Sequence, residues 1–357
     1  MPLSLVITVF ETLDNQCAPN RGAGTIVNDQ MNQLLSQDSV NIIAVSVIIP
    51  MRNAESYVAE TLKTIIAENG VNFEIVVVDD GSTDSSREIV LGLRDPRIHL
   101  IGGPKRGVSA CFNVGLEFAS GQIIMPCDAD DLFASGRILT QYEWLRQHPE
   151  AIAVCGRFST ITSTGKLIAP LLLDQTAITD ISNELAAGIV RTSFCTYAVR
   201  KVVFDVTGCC REYFETAQDI DMQLRIGEFG RVDFLPENFY MYRLHEASVT
   251  HQQPQSRRRF YERMAYAFQI ERRLCGQDSL QAGSPPEPPN AVDDTPSTAR
   301  EQIRGMLTGQ AWSELASGHH WVAVKTALRA ALTTCWSIVG WTTFVKIVGV
   351  AFFAPTK

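Results

Sequence analysis

No Cys-x-x-Cys pair and no zinc-type spacing occurs among the nine cysteines of this 357-residue chain. An odd number of scattered thiols argues against a disulfide framework and points to reduced cysteines in a cytoplasmic setting. The adjacent Cys209 and Cys210 read as structural. A basic stripe is also missing. The 31 Lys and Arg are outnumbered by 39 Asp and Glu, for a formal net charge of −8, which speaks against nucleic acid as a partner. The one basic run, Arg257-Arg258-Arg259 with Arg263, Arg272 and Arg273 nearby, reads as a solvated helix face; contact with an anionic membrane is the sharper alternative. No cationic segment precedes Leu3–Phe10, so a secretory leader is not expected. No G-x-G-x-x-G follows the first strand, which removes a dinucleotide-binding dehydrogenase.

What remains is an ordinary globular composition, 45% hydrophobic and 20% charged, on a chain long enough for one large domain and an appendage. Residues 1–43 carry no clear period and are expected to be a poorly ordered extension. Periodicity begins at Val45–Ile49, a β-branched run read as a buried strand ended by Pro50. Val58, Leu62, Ile65 and Ile66 follow at helical spacing. Glu74–Val78 is a second buried strand, and Ser82 or Asp84 can cap a helix through Leu93. Arg97–Ile101, Val108–Ala119 and Gln122–Met125 read as strand, helix and strand. This alternation predicts an α/β fold, a mostly parallel sheet with helices on both faces.

Later signals are weaker. Ala151–Cys155 reads as a strand, Phe158–Leu173 as a hairpin, Phe234–Tyr242 as strand and turn, and Arg257–Leu274 as a helix. The main domain is placed at 44–275 and a linker at 276–299, rich in Pro, Asp and Glu over Gly283–Pro296. A helical region, 300–357, ends in the apolar tail Thr333–Ala354. The tail reaches the ~20 residues needed to span a bilayer. Lys346 and several Thr, Ser and Gly favour instead a helix that lies on a surface or packs on protein. Peripheral contact with the inner face of a membrane is the expectation.

In such sheets, ligands bind beyond the carboxyl ends of the strands. Three polar segments sit there: Pro50-Met51-Arg52-Asn53, Asp79-Asp80-Gly81-Ser82 and Asp128-Ala129-Asp130-Asp131. The last has three carboxylates within four positions and no local cation, so it needs a hard ion or strong donors. Asp128 and Asp130 point the same way in an extended chain and can share one divalent ion. Three strand ends with polar groups favour a nucleotide-type pocket.

Residues from about 45 to 250 resemble the family 2 inverting glycosyltransferases of GT-A fold. The matching text is Val47–Glu55, Val76–Asp84, Arg106-Gly107-Val108-Ser109-Ala110 with Asn113-Val114-Gly115, and the Asp cluster. The resemblance implies a nucleotide-sugar site lined by Pro50, Arg52, Asn53, Glu55, Asp79, Asp80, Gly81, Ser82, Arg106, Asn113, Asp128, Ala129 and Arg243. Asp80 would recognise the base edge and Asp128 the ribose or sugar. Asp130 would bind Mg²⁺ or Mn²⁺, with His245 as a further ligand or phosphate contact, and Asp131 would support the loop. Asp219 is the implied general base, with Asp221 as fallback. Two departures stand out: Gln218 where Glu is common, and Cys111-Phe112-Asn113 where the family often has Ala-Arg-Asn. Phe112 is expected to remove a charge near the donor, with Arg106 as compensation.

The resemblance implies metal-dependent, inverting transfer of a sugar, UDP-linked as a prior, to an acceptor hydroxyl of a glycan, a lipid or another glycoconjugate. A catalytically weak or inactive nucleotide-sugar-binding protein of the same fold is the first alternative, on the strength of Phe112 and Gln218. A nucleotidyltransferase ranks below it, because the Pro50–Asn53 turn lacks a Gly-rich phosphate loop.

Overall fold

The computed structural model describes residues 43–170, 177–246, 254–289, 298–316, 318–333 and 338–353. The predicted N-terminal extension and the centre of the predicted linker lie outside them. One ten-stranded sheet organises the main domain, in the order β3-β2-β1-β4-β9-β6-β10-β5. The first block is parallel: β1 (Val45–Met51) lies between β2 (Phe73–Asp79) and β4 (Ile123–Pro126), with β3 (Ile98–Gly102) outside β2. Every residue of β2 is buried, as a continuous apolar run in a two-faced sheet requires. β1 continues through Pro50 to Met51, one residue beyond the expected end.

A second parallel pair, β6 (Ala151–Thr162) and β10 (Arg231–Leu244), is joined to the first block by the short antiparallel β9 (Ala198–Arg200). β5 (Leu132–Phe133) and β8 (Thr179–Asp180) pair with β10, and β7 (Leu167–Pro170) folds back on β6 as the predicted hairpin.

Helices α1 (Val58–Ile66), α2 (Ser86–Gly92) and α3 (Val108–Phe118) connect the first four strands. Val58, Leu62 and Ile65 bury the predicted face of α1. α3 packs closely on β1, where a Cβ on Gly115 would come within 2.5 Å of Ile48 Cγ2; only glycine permits that approach. α4 (Arg137–Gln147), α5 (Ser182–Ala186), α6 (Val202–Thr207) and α7 (Gln218–Gly227) follow. α8 (Gln255–Cys275) spends its basic run on acids: Arg257 pairs with Glu215, Arg258 with Glu262 and Arg272 with Glu228. Arg259, Arg263 and Arg273 stay exposed, so the predicted solvated face is paired only in part.

The C-terminal region forms α9 (Ala299–Ala316), α10 (His320–Thr333) and α11 (Ile338–Phe353). Leu307 of α9 and Ala330 of α10 pack on Ile168, Ala169 and Leu244. Among the described residues, no helix is long and apolar enough to cross a membrane.

Candidate active site

The parallel register sets Met51 beside Asp79 and Ile48 beside Pro126, so the loops after β1, β2 and β4 emerge side by side. The first two are stapled reciprocally. The Asn53 amide donates to Ser82 Oγ (3.0 Å), and Asn53 Oδ1 accepts from the Thr83 amide (2.8 Å). The Glu55 amide donates to Asp84 Oδ2 (3.1 Å), while Glu55 Oε2 accepts from the Ser85 amide (2.9 Å). Asn53 adopts φ 50°, a left-handed conformation that Asn tolerates better than most residues. Asn53, Glu55 and Ser82 thus shape the loop pair, and Arg52 is exposed at its rim. Asp84 accepts from the Ser86 amide (3.0 Å) just ahead of α2, whose N-cap position is Ser85 rather than the expected Ser82 or Asp84.

Asp79 and Asp80 divide cleanly. Asp79 accepts from the Ser82 amide (2.9 Å) and from Arg87 (2.8 Å). Burial opposes its charge, yet Ser82 and Arg87 hold its carboxyl below the usual range. Asp80 accepts from the Gly107 amide through Oδ2 (2.8 Å), and its Oδ1 is buried without a partner. Gly107 itself has φ 90°, which favours glycine. An orphaned buried acceptor is costly in a folded protein unless something meets it.

The Asp cluster is built by contacts from far along the chain. Tyr240 OH accepts from the Asp128 amide (2.9 Å), and Thr61 Oγ1 donates to the Ala129 carbonyl (3.0 Å). Asp131 is fully buried; its Oδ1 accepts from the Arg243 amide (2.6 Å) and its Oδ2 has no partner. Burial, then Asp130 and Asp128, push the Asp131 carboxyl far up. Asp128 is pushed up to about 7, first by desolvation and then by Asp130, with Cys195 Sγ donating to its Oδ2 (3.5 Å).

Arg243 is turned inward rather than outward over a ligand. Its guanidinium donates to the Asp130 carbonyl (2.6 Å), the Ser163 carbonyl (3.0 Å) and Glu60 (2.8 Å), and it lies over the Tyr57 ring at 4.9 Å. The direct nucleotide contact expected of it is corrected to a positioning role, because it is 1% exposed. His245 packs on Tyr57 (ring centroids 4.6 Å) and sets Nε2 2.7 Å from Asp130 Oδ2, with a buried and unpartnered Nδ1.

A divalent ion fits this set. Among the described residues no three His, Cys, Asp or Glu side chains are arranged to hold one unaided. Mg²⁺, however, is usually held by one or two carboxylates, with phosphate oxygens and water completing its shell. Asp128 and Asp130 repel each other, and Asp130 and His245 sit together at the partly exposed side of the cluster.

Three further expectations change. Asn113 spends its side chain on Cys210: Nδ2 donates to the carbonyl (2.9 Å) and Oδ1 accepts from the amide (2.8 Å). It ties the 208–211 turn to α3, with no group left facing a ligand as strongly. Phe112 is 4% exposed and packs against Phe194 and Phe204. It is a core residue rather than a missing charge near the donor, so Arg106, paired with Glu212 (3.1 Å), has nothing to offset there. Asp221 is fully buried and bonded to Arg211 and to Arg225 Nε (2.9 Å). A carboxylate so neutralised is an ion-pair member and cannot serve as the fallback base.

Asp219 differs from Asp221 by half a turn of helix and stands in another environment. It occupies the first turn of α7, and burial pushes its carboxyl up against the opposing Ile220 amide. Its charge contributes, after burial and Asp130, to the raised Asp128 carboxyl. Sequence reasoning missed Glu60, Tyr240 and Cys195. They touch the site from 67 to 183 residues away in the chain, and none has a local signature.

Comparison with known proteins agrees with this arrangement. Residues 46–211 match the model described as Glycosyl transferase family 2. The chain is 24% identical to the glycosyltransferase GlyG of Streptococcus pneumoniae over 57% of its length and 72% of that protein's. It is 36% identical to S. pneumoniae glycosyltransferase GlyA over 37% of its length, but only 19% of GlyA's. A chondroitin synthase of Pasteurella multocida is 24% identical over 56% of the chain and 20% of the synthase. The chain thus spans about a fifth of the length of the latter two. S. aureus TarS, solved with UDP-GlcNAc, shares the fold with a TM-score of 0.55 at 17% identity, over 87% of this chain and 80% of the TarS chain.

Proposed function

We propose that this chain, whose residues 46–211 match Glycosyl transferase family 2 and whose fold is GT-A, transfers a sugar from a UDP-sugar donor to an acceptor hydroxyl with inversion at the anomeric carbon. One observation carries the reading: a partnerless Asp80 oxygen and the unbalanced Asp128–Asp130 pair converge at adjacent ends of parallel strands. UDP-GlcNAc, the TarS ligand, is the first donor to try.

Asp80 Oδ1 accepts an N–H of the donor base, which satisfies its buried lone pairs. Asp128 receives a hydroxyl of the ribose or sugar. Asp130, with His245 beside it, holds Mg²⁺ or Mn²⁺. That ion, when bound, neutralises the charge of the departing diphosphate as a Lewis acid. Asp131 and Arg243 keep the loop in place from beneath. Asp219 takes the proton of the acceptor hydroxyl on the opposite face of the sugar. Burial makes it a stronger base than an ordinary carboxylate, and such help is typically worth ~10²–10⁴-fold. The acceptor is a glycan, lipid or other glycoconjugate, and the setting is the cytoplasm.

The non-catalytic alternative loses one of its two supports, since Phe112 belongs to the core, and rests now on Gln218 alone. Transfer and donor hydrolysis are measured with UDP-GlcNAc and Mn²⁺, with and without chelator. Activity should vanish on chelation, and Asp219→Asn should lower kcat ~10²–10⁴-fold with donor affinity preserved. Full transfer by Asp219→Asn at saturating donor would remove the base assignment.

A further inference from the structure

Among the described residues, helices α10 and α11 leave an apolar face uncovered. Trp321 is 69% exposed, Ile338 79% and Val345 65%, and Val322, Leu328, Leu332, Val339, Val350 and Phe352 are exposed with them. The face is continuous, because Trp321 at the start of α10 meets Phe352 at the end of α11 (ring centroids 5.0 Å). The opposite sides of both helices are already spent. Ala323, Ala327 and Ile347 are buried against Ala311 and Leu315 of α9. A contiguous apolar patch of this kind on a folded protein marks an interaction site.

Charge singles out the partner. Residues 318–353 contain no Asp or Glu and three cations, Lys325, Arg329 and Lys346, in a chain of net charge −8. Lys325 and Lys346 are exposed among the apolar side chains. Apolar and aromatic groups interleaved with Lys, without acids, suit the headgroup boundary of an anionic bilayer. Length decides between lying on it and crossing it: the 16 residues of α11 extend about 24 Å, short of the ~30 Å hydrocarbon core.

We propose that the α10–α11 face docks on an anionic lipid bilayer, lying in its headgroup plane with Trp321 and Val345 inserted. This holds whether or not the transfer chemistry above is right. The full chain is sedimented with vesicles of phosphatidylcholine alone and of phosphatidylcholine containing phosphatidylglycerol. Binding should be tighter on the anionic vesicles by at least ~10-fold, from ~5-fold for each of the two exposed lysines, and should weaken with salt. The pair Trp321→Glu and Val345→Glu should abolish sedimentation at an unchanged Tm. The pair Lys325→Glu and Lys346→Glu should erase the preference for anionic vesicles. Equal partition to both vesicle types, or no sedimentation, overturns the proposal. So does self-association at micromolar concentration that Trp321→Glu removes, since the face would then belong to a second copy.

Discussion

Asp221 and Asp131 are both fully buried carboxylates, and the protein treats them in opposite ways. Around Asp221, the buried acids are met by cations. Arg211 bonds Asp221 and Asp278, Arg225 bonds Asp221, and Arg272 bonds Asp278 (2.5 Å) and Glu228 (2.7 Å). At the end of β4, Asp131 has one backbone amide and an orphaned oxygen, and Asp128 and Asp130 share no cation from the protein. Burying a charge unpaired is strongly unfavourable. The first region resolves the cost internally and is framework. The second leaves it for a ligand.

The largest break in this contrast is Asp130→Ala. Under the proposed role it should lower kcat by on the order of 10³-fold or more, as loss of several kcal/mol of Lewis-acid stabilisation implies, while Tm in the absence of donor stays level or rises. Asp221→Ala should do the reverse. It strands Arg211 and Arg225, so denaturant unfolding should show a loss of ~3–5 kcal/mol. A variant of normal stability there would mean that the network contributes nothing. Asn113→Ala should cost ~1–3 kcal/mol by stranding the Cys210 amide and carbonyl, read as a drop in the urea midpoint without a change in donor specificity.

The smallest effect concerns pH. Burial raises Glu74, but donors from Ser46 (2.6 Å) and Ser120 (2.7 and 2.8 Å) prevail and hold its carboxyl below 4.5. A group depressed in the folded state stabilises fully above its unfolded pKa and loses that contribution as pH falls through the folded one. Acid unfolding of Ser46→Ala should therefore begin at a higher pH than that of the parent, with the difference between them narrowing at still lower pH.

Much of the parallel block that carries the Asp cluster was legible in the chain. The apolar runs of β1, β2 and β4 are local signals, and so are the Asp79-Asp80-Gly81-Ser82 and Asp128–Asp131 segments that end two of them. Cooperation among those strand ends follows from parallel pairing. The later part of the sheet was read only in outline. β10 runs for 14 residues with several register irregularities against β6, and its Pro236-Glu237-Asn238 interior reads as a break. β9, three residues long, carries no period at all. Residue roles blurred for the same reason. Asn113 and Phe112 sit in sequence where a site residue would, but the partners that claim them come from elsewhere: Cys210 lies 97 residues from Asn113, and Phe194 is equally invisible to local reading from Phe112.

Arg243 joins Glu60, Asp130 and Ser163 across as many as 183 residues of chain. This has a consequence for biosynthesis. A nascent chain that has emerged only as far as α7 holds all the acids of the pocket and the strands that carry them, yet lacks the guanidinium that gathers them. The pocket is therefore completed late, when the last long strand closes on the sheet, and unfinished chains are not prematurely competent for donor capture.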